Sequence, residues 1–276
     1  MIRLLATDLD GTLLRSDGTV SARTRAVIER AADVGFPVVM VTGRPIRWLP
    51  VVAAATGLRG VAVAANGALL YDLDRDEIVA EHPLTPDVMA VVAGLLRDAF
   101  PRVRFAAEYG FDFAYEKQYE HEWEIEPAVD RRGSAPVVTV GDLTEIIARP
   151  AVKLLARNPD ENTDSFLYDV TEIVGDRASV TRSGTSSLVE IAAPGVTKAT
   201  GLAAVAAELG IEAADIAAVG DMPNDVAMLR WAGHSFAVGN AHTDAVHAAD
   251  TVLGTNDEDA VARLLQQFLD SGAQVP

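Results

Sequence analysis

The chain has 276 residues, 49% of them hydrophobic, which leaves room for two compact domains with a sizeable core and excludes wholesale disorder. Its 23 Lys and Arg against 40 Asp and Glu give a formal charge of −17, which argues against nucleic-acid binding and against docking on an anionic membrane, since both need a basic face. The absence of cysteine excludes disulfides, thiolate metal sites and a cysteine nucleophile.

The N-terminus reaches Asp8 before any long apolar run, and no stretch approaches the ~18 apolar residues of a spanning helix. A cytoplasmic protein with no obligate protein partner is expected. In chain order, Ile2 to Thr7 reads as a buried strand ending at Asp8. Ser21 offers an N-cap for a helix that Gly35 stops. Pro37 to Val41 is the next strand, ending at Thr42-Gly43, and Pro45 suits a first helical turn. Val61 to Ala65 is a third strand, and Asn66-Gly67 a tight turn into Ala68 to Tyr71. The texture changes near His82-Pro83-Leu84-Thr85-Pro86. Beyond it come a helix (Asp87 to Phe100), an aromatic and acidic stretch (Glu108 to Glu126), strands at Val137 to Val140, Val152 to Ala156 and Ala178 to Thr181, and a helix between Asp160 and Val174. After Val189 the first rhythm resumes: helix Lys198 to Leu209, strand Ile216 to Val219, helix Pro223 to Trp231, strand Ser235 to Val238 and a closing helix Asp257 to Leu269. Alternating strands and helices imply a doubly wound parallel sheet, an α/β Rossmann-like core, with a mixed α/β module inserted in it. The expected domains are 1–82 with 189–276 as the core, and 83–188 as the insert.

Ligands of such sheets gather at the carboxyl ends of the strands, where the segments at Asp8, Thr42 and Asp221 fall; with Lys198 they make four segments that carry chemistry. In Asp8-Leu9-Asp10-Gly11-Thr12, a turn after Asp8 can bring two carboxylates to one polar mouth, one as nucleophile and metal ligand, the other handling protons. A strand with an Asp-Gly turn is the plainer reading of those five residues alone. Gly220-Asp221-Met222-Pro223-Asn224-Asp225 gathers oxygen ligands suited to Mg²⁺, although Asp225 at a helix start also reads as a cap. Lys198 is one of only three lysines in an arginine-biased chain, where a compact ammonium has its own uses. Thr42-Gly43-Arg44 adds a hydroxyl, a flexible backbone N–H and a guanidinium. The histidines at 82, 121, 234, 242 and 247 show no metal-ligand spacing. Gly195-Val196-Thr197-Lys198 lacks the glycine before lysine that a P-loop needs, and no Gly-x-Ser-x-Gly elbow is present.

The order Asp-x-Asp-Gly-Thr, Thr-Gly-Arg, Lys, Gly-Asp-x-x-Asn-Asp resembles the haloacid dehalogenase-like (HAD) hydrolases, specifically their Cof-type phosphatases, over the whole chain and with no departure at these positions. The resemblance implies a Mg²⁺-dependent phosphatase acting on a small phosphorylated metabolite through an aspartyl-phosphate on Asp8. It gives Asp10 the acid/base role, with its main-chain carbonyl toward the metal, Thr42 the hydroxyl on the transferring group, and Lys198 the neutralising cation. Asp221 would be the remaining direct metal ligand, Asn224 and Arg44 phosphate contacts, and Asp225 a support for Lys198 or the metal shell. Backbone amides near Leu9 and Gly43 would complete the charge stabilisation. A phosphomutase of the same superfamily is the alternative. A receiver-like phospho-acceptor is disfavoured by the insert and by Asp10.

Specificity is expected in the insert. The alternation Phe111-Asp112-Phe113-Ala114-Tyr115 predicts a strand with one apolar face. Tyr119 to Glu126, with Glu120, Glu122, Trp123 and Glu124, is expected to stay at a surface and to favour a monophosphorylated, hydroxyl-bearing substrate such as a sugar phosphate, with Arg44 and Arg47 as competing cations.

Overall fold

The computed structural model describes residues 1–119, 135–182, 184 and 187–271. In chain order the elements are β1 (Leu4–Thr7), α1 (Ala22–Asp33), β2 (Val38–Met40), α2 (Leu49–Thr56), β3 (Val61–Ala64), β4 (Leu69–Asp72), β5 (Glu77–Glu81), α3 (Pro86–Ala99), β6 (Arg104–Tyr109), β7 (Asp112–Glu116), β8 (Val138–Gly141) and α4 (Leu143–Ile146). They continue with β9 (Lys153–Arg157), α5 (Thr163–Val174), β10 (Ser179–Thr181), β11 (Leu188–Ala192), α6 (Lys198–Glu208), β12 (Ile216–Gly220), α7 (Val226–Trp231), β13 (His234–Ala237), α8 (Thr243–Ala248), β14 (Thr251–Val252) and α9 (Ala260–Asp270).

Two compact units form: 1–44 with 49–79 and 197–276, and 45–48 with 80–196. In the first, the sheet order is β14-β13-β12-β1-β2 and every pairing is parallel. A parallel bridge from Val41 to Val63 carries it on to β3, which pairs antiparallel with β4 across the expected Asn66-Gly67 turn. Leu4, Leu5 and Ala6 are fully buried, as are Ile216, Ala217 and Ala218, the unbroken apolar runs of strands covered on both faces. The Ser21 hydroxyl caps α1 by accepting from the Thr24 N–H at 3.0 Å.

The second unit holds a six-stranded sheet, β10-β11-β9-β6-β7-β8, antiparallel except for β7 beside β8. One face packs Phe105, Ala107, Leu154, Ala156, Val189 and Ile191 against Met89, Val92 and Leu96 of α3 and Phe166 and Val170 of α5. The other face carries a smaller cluster, Ala106, Phe113, Tyr119 and Leu155. Beside it lie buried ion pairs: Arg47 reaches Glu108 bidentately at 2.8 and 3.2 Å, and Lys153 lies 3.3 Å from Glu190. β11 belongs to this sheet, so residues from 189 to 196 fall in the second unit instead of the first. Their apolar side chains are needed to complete its core.

Two expectations for the insert change. β7 does not have one apolar and one solvated face: Phe113 and Ala114 pack into opposite clusters, and the buried Glu116 accepts from Arg97 and from the Phe105 N–H. Tyr119 is buried at 3% exposure, because its ring packs beside Tyr115 and Leu155 and outweighs the acidic residues that follow it in sequence. Glu120, His121, Glu122, Trp123, Glu124 and Glu126 lie outside the described residues. Among the described residues no helix is long and apolar enough to cross a membrane.

Candidate active site

Every residue of the candidate site belongs to the first unit. β1 and β12 run side by side with Thr7 opposite Val219, so Asp8 and Asp221 leave the sheet from adjacent strand ends. The Asp8 N–H donates to the Val219 carbonyl at 3.0 Å. The chain then turns tightly through residues 9–13, with Gly11 at φ +74°. A Cβ on Gly11 would stand 2.4 Å from Asp221 Oδ2, so the glycine permits both the turn and the close approach of that carboxylate. The Thr12 hydroxyl donates to Asp221 Oδ1 at 2.7 Å.

Lys198 opens α6, whose N-cap Thr197 accepts from the Thr200 N–H at 3.2 Å. The Thr197 carbonyl lies where a Cβ on Gly67 would stand only 2.0 Å away, which seats the start of α6 on the β3–β4 turn. From there the fully buried Lys198 ammonium donates to Asp8 Oδ1 and Asp225 Oδ1, both at 2.6 Å. The other oxygen of Asp225 accepts the N–H groups of Asp221 and Met222, each at 3.0 Å. Asp225 thus holds the ammonium and the strand-end loop together.

Burial raises Asp8 well above the usual carboxylate range. Lys198 opposes the rise, while Asp225, Asp221 and Asp10 add to it. Burial and then Asp225 push Asp221 up to about 6, against the hydrogen bond from Thr12. For Lys198 burial alone would lower the pKa, but the Asp225 and Asp8 carboxylates outweigh it and raise it, so the ammonium stays charged. One ammonium does not neutralise three buried carboxylates whose oxygens lie within 4.8 Å of one another. Asp225 has given its oxygens to three donors, whereas Asp8 and Asp221 keep oxygens for a cation. An all-oxygen donor set this small suits a hard divalent ion that retains several waters, so the residues fit a metal of that kind.

The Asp10 carboxylate is not in this cluster. It is half exposed and accepts from Arg44 at 2.8 and 2.5 Å. Thr42 is buried at the end of β2, its hydroxyl oxygen accepting from the Arg44 N–H at 3.1 Å and its hydrogen available to donate. The Leu9 side chain is buried in the core. Asn224 donates through Nδ2 to Asn66 Oδ1 at 3.0 Å, and its own buried Oδ1 has no partner.

Sequence reasoning missed two contributors. Asn66, buried at φ +59°, was legible only as half of a turn, and the Asn-Gly pair gives no sign that the amide meets Asn224. Thr12 lies in the first segment with nothing in the sequence to mark its role, although its hydroxyl donates to Asp221. The main-chain N–H of His242 donates to the Asp221 carbonyl at 2.7 Å, and the His242 ring accepts from the Asp244 N–H.

A family model described as haloacid dehalogenase-like hydrolase matches residues 5–265. A 5-amino-6-(5-phospho-D-ribitylamino)uracil phosphatase of Bacillus subtilis is 31% identical over 271 residues, covering 96% of this chain and 97% of that one. An HMP-PP phosphatase of Serratia proteamaculans is 28% identical over 279 residues, with 98% and 97% covered. Among solved structures, the phosphatase BT1666 of Bacteroides thetaiotaomicron superposes with a TM-score of 0.78 at 25% identity, covering 97% of this chain and 95% of that one.

Proposed function

The chain belongs to the haloacid dehalogenase-like hydrolases and is a phosphoric monoester hydrolase, and from that premise we propose that it cleaves a small phosphorylated metabolite through an aspartyl-phosphate on Asp8, with Mg²⁺ as its metal. The observation that carries the reading is the placement of Asp8: a carboxylate at a strand end, one oxygen held by Lys198 at 2.6 Å and the other turned among acidic neighbours. Bound Mg²⁺ would be held by Asp8, Asp221 and the Asp10 carbonyl, and would supply positive charge to the phosphoryl oxygens.

Lys198 holds Asp8 in one orientation, so that the remaining oxygen attacks phosphorus. The P–O bond to the leaving group breaks as the Asp8–phosphorus bond forms, and Asp10 gives its proton to the departing oxygen. Asp10 then takes a proton from water, whose oxygen bonds to phosphorus as the bond from phosphorus to the Asp8 oxygen breaks, releasing phosphate and regenerating the Asp8 carboxylate. The Arg44 contact holds the Asp10 carboxylate outside the buried cluster, and the proton it gives to the leaving oxygen is returned to it by the attacking water. The Thr42 hydroxyl, the Asn224 amide and the N–H groups near Leu9 and Gly43 would hold the transferring group.

We assign substrate choice to the inserted unit and favour a monophosphorylated, hydroxyl-bearing substrate. The phosphoribityl compound in the Bacillus relative's name supports that class, and the HMP-PP relative marks its limit. The test is phosphate release from a panel of phosphorylated metabolites with Mg²⁺ and with EDTA. Turnover of at least one polyol or sugar monophosphate, abolished by EDTA and restored by Mg²⁺, is expected. Full activity in EDTA, or preference for a bisphosphate, contradicts the reading.

A further inference from the structure

Gly11 fits its turn at a cost in rigidity. A Cβ there would strike Asp221, so the position is glycine, yet glycine leaves the backbone on both sides of it free to rotate. Both peptides that meet at Gly11 bear on the acidic cluster. The one before it carries the Asp10 carbonyl assigned above to the metal. The one after it leads into Thr12, whose hydroxyl holds Asp221 at 2.7 Å. The joint needs a restraint from outside the turn.

That restraint comes from the loop after β13. Asn240 Nδ2 donates to the Gly11 carbonyl at 2.8 Å, and two residues further on the main-chain N–H of His242 donates to the Asp221 carbonyl at 2.7 Å. One loop therefore holds both strand-end turns by their carbonyls. Asn240 is fixed in its turn: its Oδ1 accepts the Asn256 N–H at 3.0 Å, and the buried Asn256 amide donates to the Leu14 carbonyl at 3.0 Å. The Leu14 N–H closes the same turn on the Leu9 carbonyl at 2.8 Å. The turn is thus gripped at Gly11 and at Leu14 by two residues bonded to each other. Each end of the Asn240 amide meets its complement, and a flipped amide would set oxygen against the carbonyl and NH2 against the N–H. A neighbouring grip acts beyond the turn, where Asp257 accepts from the Ser16 N–H and hydroxyl at 2.9 and 2.8 Å.

We infer that Asn240 is a positioning residue for metal binding: through the Gly11 carbonyl it sets the turn that presents the Asp10 carbonyl and Thr12, with Asn256 as its buried anchor. The inference rests on the proposed assignment of the metal to Asp8, Asp221 and the Asp10 carbonyl. All of its residues lie in the first unit.

The test is calorimetric titration of Mg²⁺ into the metal-free chain, which reads binding without turnover. Asn240→Asp is the deciding variant. Its carboxylate still accepts the Asn256 N–H, cannot donate to the Gly11 carbonyl, and adds a negative charge that by itself would favour Mg²⁺. Binding about three- to tenfold weaker than wild type, the equivalent of one net hydrogen bond, is expected in Asn240→Asp and in Asn240→Ala. Asp257→Asn loosens only the grip on Ser16 and is expected to keep the wild-type affinity. Because Asn240 is exposed, its variants are expected to melt near the wild-type midpoint in EDTA. An equal loss in Asp257→Asn would mean general loosening and overturns the role. A wild type that binds no Mg²⁺ removes the metal assignment and the inference with it. Saturable binding that Asn240→Asp leaves unchanged or tightens removes the inference alone.

Discussion

Lys198 is the residue whose removal separates charge from packing most cleanly. Its ammonium sits between Asp8 and Asp225 with no exposure, so Lys198→Met keeps the apolar stem and deletes only the cation. Breaking such a buried pair costs about 3–5 kcal/mol of stability, less whatever proton uptake by the two carboxylates recovers. Turnover is expected to fall by a factor of about 10² or more, since a preorganised positive charge is lost where negative charge develops. Steady-state kinetics beside a thermal melt checks both effects. A variant that folds and turns over at near the wild-type rate contradicts the role given to Lys198. Thr12→Val removes the only hydroxyl donor to Asp221 among the described residues and is expected to weaken Mg²⁺ activation, raising the metal concentration needed for half-maximal rate.

At the level of elements, the seating of α6 on the β3–β4 turn decides where Lys198 points. Gly67, at φ +100° and against the Thr197 carbonyl, has no room for a side chain. Gly67→Ala is therefore expected to cost about 2–4 kcal/mol and to lower turnover as well, through displacement of Lys198. Denaturant unfolding and kcat on the same preparation test it, and a neutral effect on both would contradict this seating. Much of this layer was legible in sequence. β1, β2 and β12 are largely apolar runs, Ser21 and Gly35 bracket α1, and three polar segments, at Asp8, Thr42 and Asp221, follow strand ends while Lys198 opens a helix. β5 and β6 were not legible. β5 is short, largely exposed and acidic at both ends. β6 carries Arg104 and Glu108 on one face, and Glu108 is buried only because Arg47, distant in sequence, pairs with it. The same kind of distant pairing hid Asn66, whose partner Asn224 lies 158 positions away.

For the whole molecule, the acidic cluster makes stability depend on pH and on metal. Without metal, burial holds Asp221 near 6 and Asp8 well above the usual range, whereas the unfolded chain has released those protons by about pH 4. The folded form therefore binds more protons between about 4 and 6, and stability from this source is present at low pH and lost as pH rises through about 6. Asp17, Asp142, Asp250, Asp257 and Glu258 act in the opposite sense. Each accepts hydrogen bonds from a nearby Ser or Thr that hold its carboxyl low, so their contribution is present above about pH 4 and lost on acidification. Thermal melts in EDTA are expected to peak between about pH 4 and 5 and decline toward 8, with Mg²⁺ flattening the decline because the cation keeps Asp8 and Asp221 ionised without repulsion. A midpoint that climbs steadily from pH 5 to 8 in EDTA would contradict this balance.

The most direct test of the central claim is acid-quenched mass spectrometry of the peptide containing Asp8 during turnover. Asp10→Asn, which loses the group that activates water, is expected to accumulate a phosphoryl group on Asp8, while the wild type shows it transiently and Asp8→Asn shows none. Phosphate found on another residue, or phosphate release by Asp8→Asn at a tenth or more of the wild-type rate, would contradict the account.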